Sequence, residues 1–333
     1  MRRLASTLVA VALLLAACGG SGAGDGASPK ETLSGALDDL RAMGATTATI
    51  SLRSDPESLQ ALAAEDGDEL SSQDAQKVLD SSLTISSNNE EDPAKATAQV
   101  VVNVAGNESI ELRMLERTLY LRADVHALLE TFGQDPTMAD QIAQQAAASG
   151  LDFVQPLVEG QWVAVEGLEE ALGQGGAAPS AAEQKKLIDK LAASLEESTT
   201  VTSKGSDDEG THLVAIVSIR DVFQDLRDAT EGLAQGVPGG QLPNAAEVPD
   251  ENVELDLWIA DGRLTQVEFD FLQLQDLPDA EIPSGVTGLA LHIELEEFSG
   301  EVEAPDGAVP VDLQKLMQGM FGAGLQGSAP ATG

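Results

Sequence analysis

The chain has 333 residues, 56 of them acidic and 18 basic, for a formal net charge of −38. That balance excludes nucleic-acid binding through a basic face, and it excludes electrostatic docking on anionic lipid. Hydrophobic residues make up 42% and aromatics only 3%, so a core is possible and Leu, Val, Ile and Ala must fill it.

Arg2 and Arg3 precede an apolar run from Leu4 to Leu15. The run has signal-peptide length and is too short to span a bilayer. It ends Leu15-Ala16-Ala17-Cys18, and Cys18 is the one cysteine of the chain, which leaves no intramolecular disulfide. This stretch resembles the lipobox of bacterial lipoproteins. The resemblance implies cleavage between Ala17 and Cys18, with fatty chains of the palmitate kind on Cys18. Two or three chains make a stable anchor where one holds only marginally. Gly19-Gly20-Ser21-Gly22-Ala23-Gly24-Asp25-Gly26 then reads as a flexible tether.

Ser28-Pro29-Lys30-Glu31 is a capping box with proline at the first helical position. It opens a helix with Leu33, Leu37 and Leu40 on one face and Gly44 as an expected C-cap. A strand follows with Ala48, Ile50 and Leu52 opposed to Thr47, Thr49 and Ser51. Residues 56–80 read as two short helices around the acidic run Glu65 to Glu69. Strands are expected at Leu83–Ser87, Ala96–Ala105, Ser109–Leu115 and Thr118–Ala123, the last two joined through Glu116-Arg117. A helical block comes next. Val125, Leu128, Leu129 and Phe132 follow an Asp124 cap, Met138 and Ile142 lie on a second helix, and Phe153 and Leu157 on a short third. Gln161–Val165 reads as a strand.

Ser180 and Glu183 form a second capping box, ahead of Leu187, Ile188, Leu191 and Leu195 on one helical face. Thr199–Lys204 and Thr211–Ile219 are expected to pair around Asp207-Asp208-Glu209-Gly210. A helix with Val222, Phe223, Leu226 and Leu233 leads into the Pro/Gly-rich stretch from Gly236 to Asp250. Three strands between Glu251 and Ala304 then show the cleanest period-two alternation of the chain. The first buries Val253, Leu255, Leu257 and Ile259; the second Val267, Phe269 and Phe271; the third Leu289, Leu291, Ile293 and Leu295. For the first hairpin the alternation favours a three-residue loop, Ala260-Asp261-Gly262, with Leu257 opposite Thr265 and Leu255 opposite Val267. Val311–Phe321 is expected to be a short amphipathic helix. Runs of strands broken by helical blocks predict an antiparallel α+β sheet of about eleven strands.

No catalytic signature stands out. Gly322-Ala323-Gly324-Leu325-Gln326-Gly327 matches a dinucleotide-binding pattern but lacks its strand and helix. His126, His212 and His292 are far apart and not in zinc-ligand spacing, and His292 falls on the wet face of its strand. The acidic runs Glu65–Glu69 and Asp207–Glu209 do not fit a calcium loop and read as solvated turns. Neither a metal site nor a cofactor is expected.

Several segments together resemble the mycobacterial envelope lipoproteins that carry acylated lipids, themselves akin to the lipoprotein-localisation carrier fold. These are the lipobox leading into a capped helix, Ile110-Glu111-Leu112-Arg113 with Thr118-Leu119-Tyr120-Leu121, Gly160-Gln161-Trp162-Val163, and Leu255-Asp256-Leu257-Trp258-Ile259-Ala260-Asp261-Gly262-Arg263-Leu264. Phe298 followed by Glu303-Ala304-Pro305 completes the set. The chain is longer and more acidic than that family, with inserts near 55–80 and 134–158.

The resemblance implies a curved antiparallel half-barrel with helices packed on its concave face and an acyl-chain cavity between them. Candidate cavity residues are Leu128, Leu129, Phe132, Phe153, Leu157, Leu191, Phe223 and Leu226. The expected organisation is a signal peptide at 1–17, a tether at 18–27, one carrier-like domain at 28–321 and a disordered tail at 322–333. The expected protein is a monomeric, non-enzymatic lipoprotein on the extracytoplasmic face of the cell membrane. It is held there by acylated Cys18 and binds a lipid for envelope transport or presentation. The alternative is the same fold with a filled core, serving as a surface interaction or sensory module. A two-lobed solute-binding protein shares the lipobox but needs parallel βαβ lobes that this pattern lacks.

Overall fold

A computed structural model describes residues 27–65, 67, 69–88, 90, 95–115, 118–166, 200–221, 224, 251–275 and 282–311. Among them twelve strands form one curved, unclosed sheet. The strands are β1 (Thr46–Ser54), β2 (Ser82–Ser87), β3 (Ala98–Val104), β4 (Asn107–Leu115), β5 (Thr118–Ala123), β6 (Val163–Val165), β7 (Thr200–Asp207), β8 (Gly210–Ser218), β9 (Asn252–Ala260), β10 (Arg263–Asp270), β11 (Leu289–Glu297) and β12 (Val309–Val311). Their spatial order is β12-β6-β5-β4-β3-β2-β1-β11-β10-β9-β8-β7. Every pairing is antiparallel except β12 with β6. The fold class is α+β, with the first and last parts of the chain meeting at β1 and β11.

Helix α1 (Pro29–Ala42) begins as its capping box dictates. Ser28 Oγ accepts from Glu31 N at 3.3 Å, and the Glu31 carboxylate accepts from Ser28 N at 2.7 Å. The end of α1 differs from expectation. Met43 closes it with φ −60° and ψ 117°, and Gly44 does not take the left-handed conformation of a C-cap glycine. Leu33, Ala36, Leu37 and Leu40 are buried, one stripe at helical spacing. That stripe lies on the concave face against Ala48, Ile50, Leu213, Ala215, Leu257, Ile259, Leu264, Val267, Ile293 and Leu295. Each buried leucine contributes about 2 kcal/mol of hydrophobic stabilisation.

The β9–β10 hairpin corrects the expected register. Asp261 (φ 53°) and Gly262 (φ 80°) make a two-residue turn, which pairs Ala260 with Arg263 and Ile259 with Leu264. Leu257 then faces Val267 and not Thr265, because the register shifts between Leu264 and Gln266. The extra residue, Thr265, is a bulge that resets the phase of β10. Leu264 points inward before the bulge, and Val267 and Phe269 point inward after it. The sequence alternation placed Phe271 in the same strand; it instead opens a 3-10 turn, Phe271–Leu274, packed edge-on to Phe269.

Helices α2 (Pro56–Glu65) and α3 (Ser72–Leu79) connect β1 to β2. A block of α4 (Val125–Thr131), α5 (Thr137–Ala148) and α6 (Val154–Val158) connects β5 to β6. The Asp124 cap is present, accepting from Ala127 N at 2.9 Å. The block has a small core of Ala139, Ala143 and Val158, with Val125, Leu129 and Val154 packed on it. Lys77 Nζ donates to Thr131 O at 2.5 Å and ties α3 to α4.

After β11 the chain runs along one end of the sheet to its far edge. Phe298 N donates to Ala45 O at 3.2 Å, Glu303 O accepts from Arg113 Nη1 at 2.9 Å, and Val309 N donates to Trp162 O at 2.8 Å. Val311 therefore closes a strand beside β6 and does not begin the helix expected there; residues 312–333 lie outside the described residues.

Candidate functional site

The inner face of the sheet divides into two parts. Over β1 and β8–β11 it is mostly closed, with Leu213, Leu264, Val267 and Ile293 all at 3% exposure or less and Leu52, Leu255 and Leu291 half-buried. Over β2–β5 its inward side chains are half-buried, apart from the buried Ala123. Register defines this second floor. Ile50 faces Leu83 and Ala48 faces Ile85; those pair on to Val102 and Val100, then to Ile110 and Leu112, then to Ala123 and Leu121. Ala98, Met114 and Leu119 extend the same rows. None of these inward positions carries a charge. Four strands at about 4.8 Å spacing make a strip roughly 15–20 Å across.

The strip has two walls. On one side Leu83, Ile85 and Met43 lean on the closed cluster under α1. On the other, Phe153 and Leu157 from around α6 pack with Leu119, Leu121, Val163, Val165, Val309 and Val311. Of the cavity residues expected from sequence, Phe153 and Leu157 border the strip. Leu128 and Leu129 are half-buried on α4, and Leu129 packs into the small block core. Phe132 is 50% exposed and lines no described core cluster. Leu191, Phe223, Leu226, Ala17 and Cys18 lie outside the described residues. The floor residues themselves were not singled out from sequence. Their signal was present as alternation in consecutive strands with no intervening helix between β2 and β5.

The convex face behind the strip is stiffened by charge. Glu111, 2% exposed, accepts from Gln99 Nε2 at 2.6 Å, Arg113 Nε at 2.7 Å and Arg122 Nη2 at 2.8 Å. Burial acts to raise its pKa. The hydrogen bonds from Arg113 and its other neighbours, with the Arg113 charge, outweigh that and hold the carboxyl below its usual range. Both guanidiniums also stack on Trp162, at 4.8 Å for Arg113 and 5.1 Å for Arg122.

The three histidines serve separate local contacts. His126 Nδ1 lies 3.1 Å from Val158 O and its Nε2 3.5 Å from Asp140, joining the three helices of the block. His212 stacks on Trp258 at 4.5 Å and meets Asp256 at 2.6 Å. His292 is on the outer face as expected but is not wet: it is 1% exposed, 2.8 Å from Arg53 and 3.2 Å from Glu294. In the turn at Asp207–Glu209, Asp207 Oδ1 accepts from Glu209 N and Gly210 N, and those bonds, the Glu209 one foremost, keep its carboxyl below the usual range despite opposing burial. Among the described residues no group of three or more His, Cys, Asp or Glu side chains is placed to hold a metal ion.

A separate depression of ≈ 510 Å³ sits at the β9–β10 turn, beside Met43, Leu264 and Leu295. The Arg263–Glu297 ion pair at 3.1 Å edges it, so its chemistry is mixed, unlike the uncharged strip.

No family model matches the chain, and no curated protein matches it. Among solved structures it is similar to the Mycobacterium tuberculosis lipoprotein LppX, at 9% identity and a TM-score of 0.35, over 83% of this chain and 98% of that one.

Proposed function

We propose that this chain is an acylated envelope lipoprotein whose body holds an acyl lipid, non-covalently, on the inner face of β2–β5. The observation that supports this reading is the uncharged, largely half-buried strip beside a more tightly closed part of the same sheet. Apolar surface left in contact with water gains about 25 cal/mol per Å² when something apolar covers it. An acyl chain supplies that cover and asks for no hydrogen bonds in return. Phe153 and Leu157 would bound the chain on one side, Met43 and the cluster under α1 on the other. The action is burial, without bond chemistry and without a cofactor. Acylated Cys18 would hold the monomer at the extracytoplasmic face of the cell membrane, where such binding serves envelope lipid transport or presentation.

The test uses a soluble form starting at Gly19, made in a related bacterium and purified without detergent. Organic extraction and mass spectrometry are run beside an unrelated lipoprotein body. The expected result is a stoichiometric lipid absent from the control. It should fall severalfold in Leu112→Trp, which fills the strip, while the melting temperature stays close to the parent. A protein that is empty, and that fails to protect a fluorescent fatty acyl probe, overturns the carrier reading in favour of the interaction module.

A further inference from the structure

We infer that Arg53 and His292 form a proton-operated strap on the outer face of the sheet: the guanidinium is held on the neutral ring and is displaced when the ring takes a second proton. Of the three histidines, His292 alone is fully buried. It lies on the face opposite the apolar strip and plays no part in it.

Three strands bring the parts together. In the register, His292 on β11 is opposite Ser51 on β1 and opposite Glu268 on β10. Arg53, two residues along β1 from Ser51, reaches across β11. Its Nη1 donates to Glu268 Oε2 at 2.8 Å, and its Nη2 is 2.8 Å from His292 Nε2. One side chain thus spans three strands, at the seam where the first and last parts of the chain meet. The ring's Nδ1 is buried, lies 3.4 Å from the same Glu268 oxygen and makes no hydrogen bond. Glu294, two residues along β11, places Oε1 3.2 Å from Nε2. Beyond Glu268, Asp256 on β9 is engaged by His212 and Lys204. Among the described residues no other charged group lies within ion-pair distance of the ring.

Donor and acceptor chemistry defines two exclusive states. A guanidinium has only N–H donors, so the Nε2 that receives Arg53 carries no hydrogen and the ring's proton sits on Nδ1. A protonated ring donates from both nitrogens. Its Nε2–H would then meet an N–H of Arg53, with two positive charges in contact, and the Arg53 contact is lost. Replacement acceptors are already in place: Glu294 Oε1 for Nε2–H and Glu268 Oε2 for Nδ1–H. One guanidinium stands against two carboxylates, so the added positive charge is compensated where a lone buried charge would be costly. The strap has room to leave, because the Arg53 side chain is 48% exposed.

The experiment follows the soluble form starting at Gly19, which contains every described residue, by NMR. The pH is lowered from about 8 to about 5, the interval in which histidine changes charge. Ring signals are assigned through the His292 backbone. Ring nitrogen shifts should show a proton on Nδ1 alone at the upper pH and on both nitrogens at the lower. Over the same interval the order parameter of the Arg53 Nε–H should fall from about 0.85 to below about 0.6. In His292→Gln, whose amide oxygen offers Arg53 an acceptor that does not titrate, it should keep its upper value throughout. A proton on Nε2 at the upper pH, a ring still neutral at the lower, or a protonated ring beside an ordered Arg53 would each overturn the proposal. Those readings come from the parent alone and decide the matter even where the variant does not fold. The same loss of order in folded His292→Gln would also overturn it, by placing the titrating group elsewhere.

Discussion

The two halves of the concave face are built alike and finished differently. Both present alternating apolar side chains in antiparallel register. Under α1, Leu257 and Ile259 are each 5% exposed; across β2–β5, Leu112, Val100 and Leu121 remain half-buried. Reach explains the difference. A helix of 14 residues is about 21 Å long. A sheet of twelve strands is roughly 50 Å wide at about 4.8 Å per strand. One such helix covers less than half of it. An apolar face is thus a requirement for cover, and among the described residues α1 is long enough to meet it over only part of the sheet.

The largest effect on this contrast should come from deleting Thr265. Without the bulge, the two-residue turn and the inward setting of Val267 and Phe269 cannot both persist, since a one-residue slip exchanges the faces. Loss of soluble, cooperatively folding protein is expected; a deletion variant with parental circular dichroism and melting temperature would remove the bulge from the account. Next is Leu257→Ala in the closed half, which should cost about 2–5 kcal/mol by denaturant unfolding, because it leaves a cavity under α1.

Glu111→Gln tests the stiffening behind the open half. Removing the carboxylate from between Arg113 and Arg122 should cost about 1–3 kcal/mol at neutral pH. Its pH dependence has a definite sign. The folded pKa lies below the unfolded one, so Glu111 contributes stability above the unfolded value near about 4.3 and loses it as pH falls toward the folded value. The parent should therefore lose more stability between neutral pH and acid than the variant does. Parallel profiles would show that the network contributes no proton linkage. The smallest effect is expected from Leu112→Ala, on the inner face next to Glu111. Half-burial predicts a cost of about 1 kcal/mol or less. A cost matching Leu257→Ala would mean that the strip is closed core.

Much of the local structure was legible in the sequence. The Ser28 capping box, the Asp124 cap, the hairpin of β7 and β8 and the faces of β9 and β11 follow from spacing, because each depends on neighbours within a few residues. Less local features were misread. Strict alternation favours the three-residue loop over the observed Asp261-Gly262 turn, because alternation cannot announce a bulge. Phe132 read as lining because it completes an i, i+3, i+4, i+7 pattern, although a pattern names a face and not what lies against it. His292 read as wet because it alternates with apolar residues, yet long side chains from Arg53, Glu268 and Glu294 close over it.

By itself the sequence determined the α+β class, the antiparallel strand runs and the acidic exterior, whereas the inward rows of β2–β5 needed the observed register. Period and charge are properties of consecutive residues, so they survive any arrangement of the elements. Only the tertiary structure decided that α1 would seal one part of the concave face while, among the described residues, most inward side chains of β2–β5 stay half-buried. It also decided that α5 would bury Ala139 and Ala143 while exposing Met138 and Ile142. Those outcomes depend on which surfaces meet across hundreds of residues, where burial is settled by geometry that no local pattern encodes.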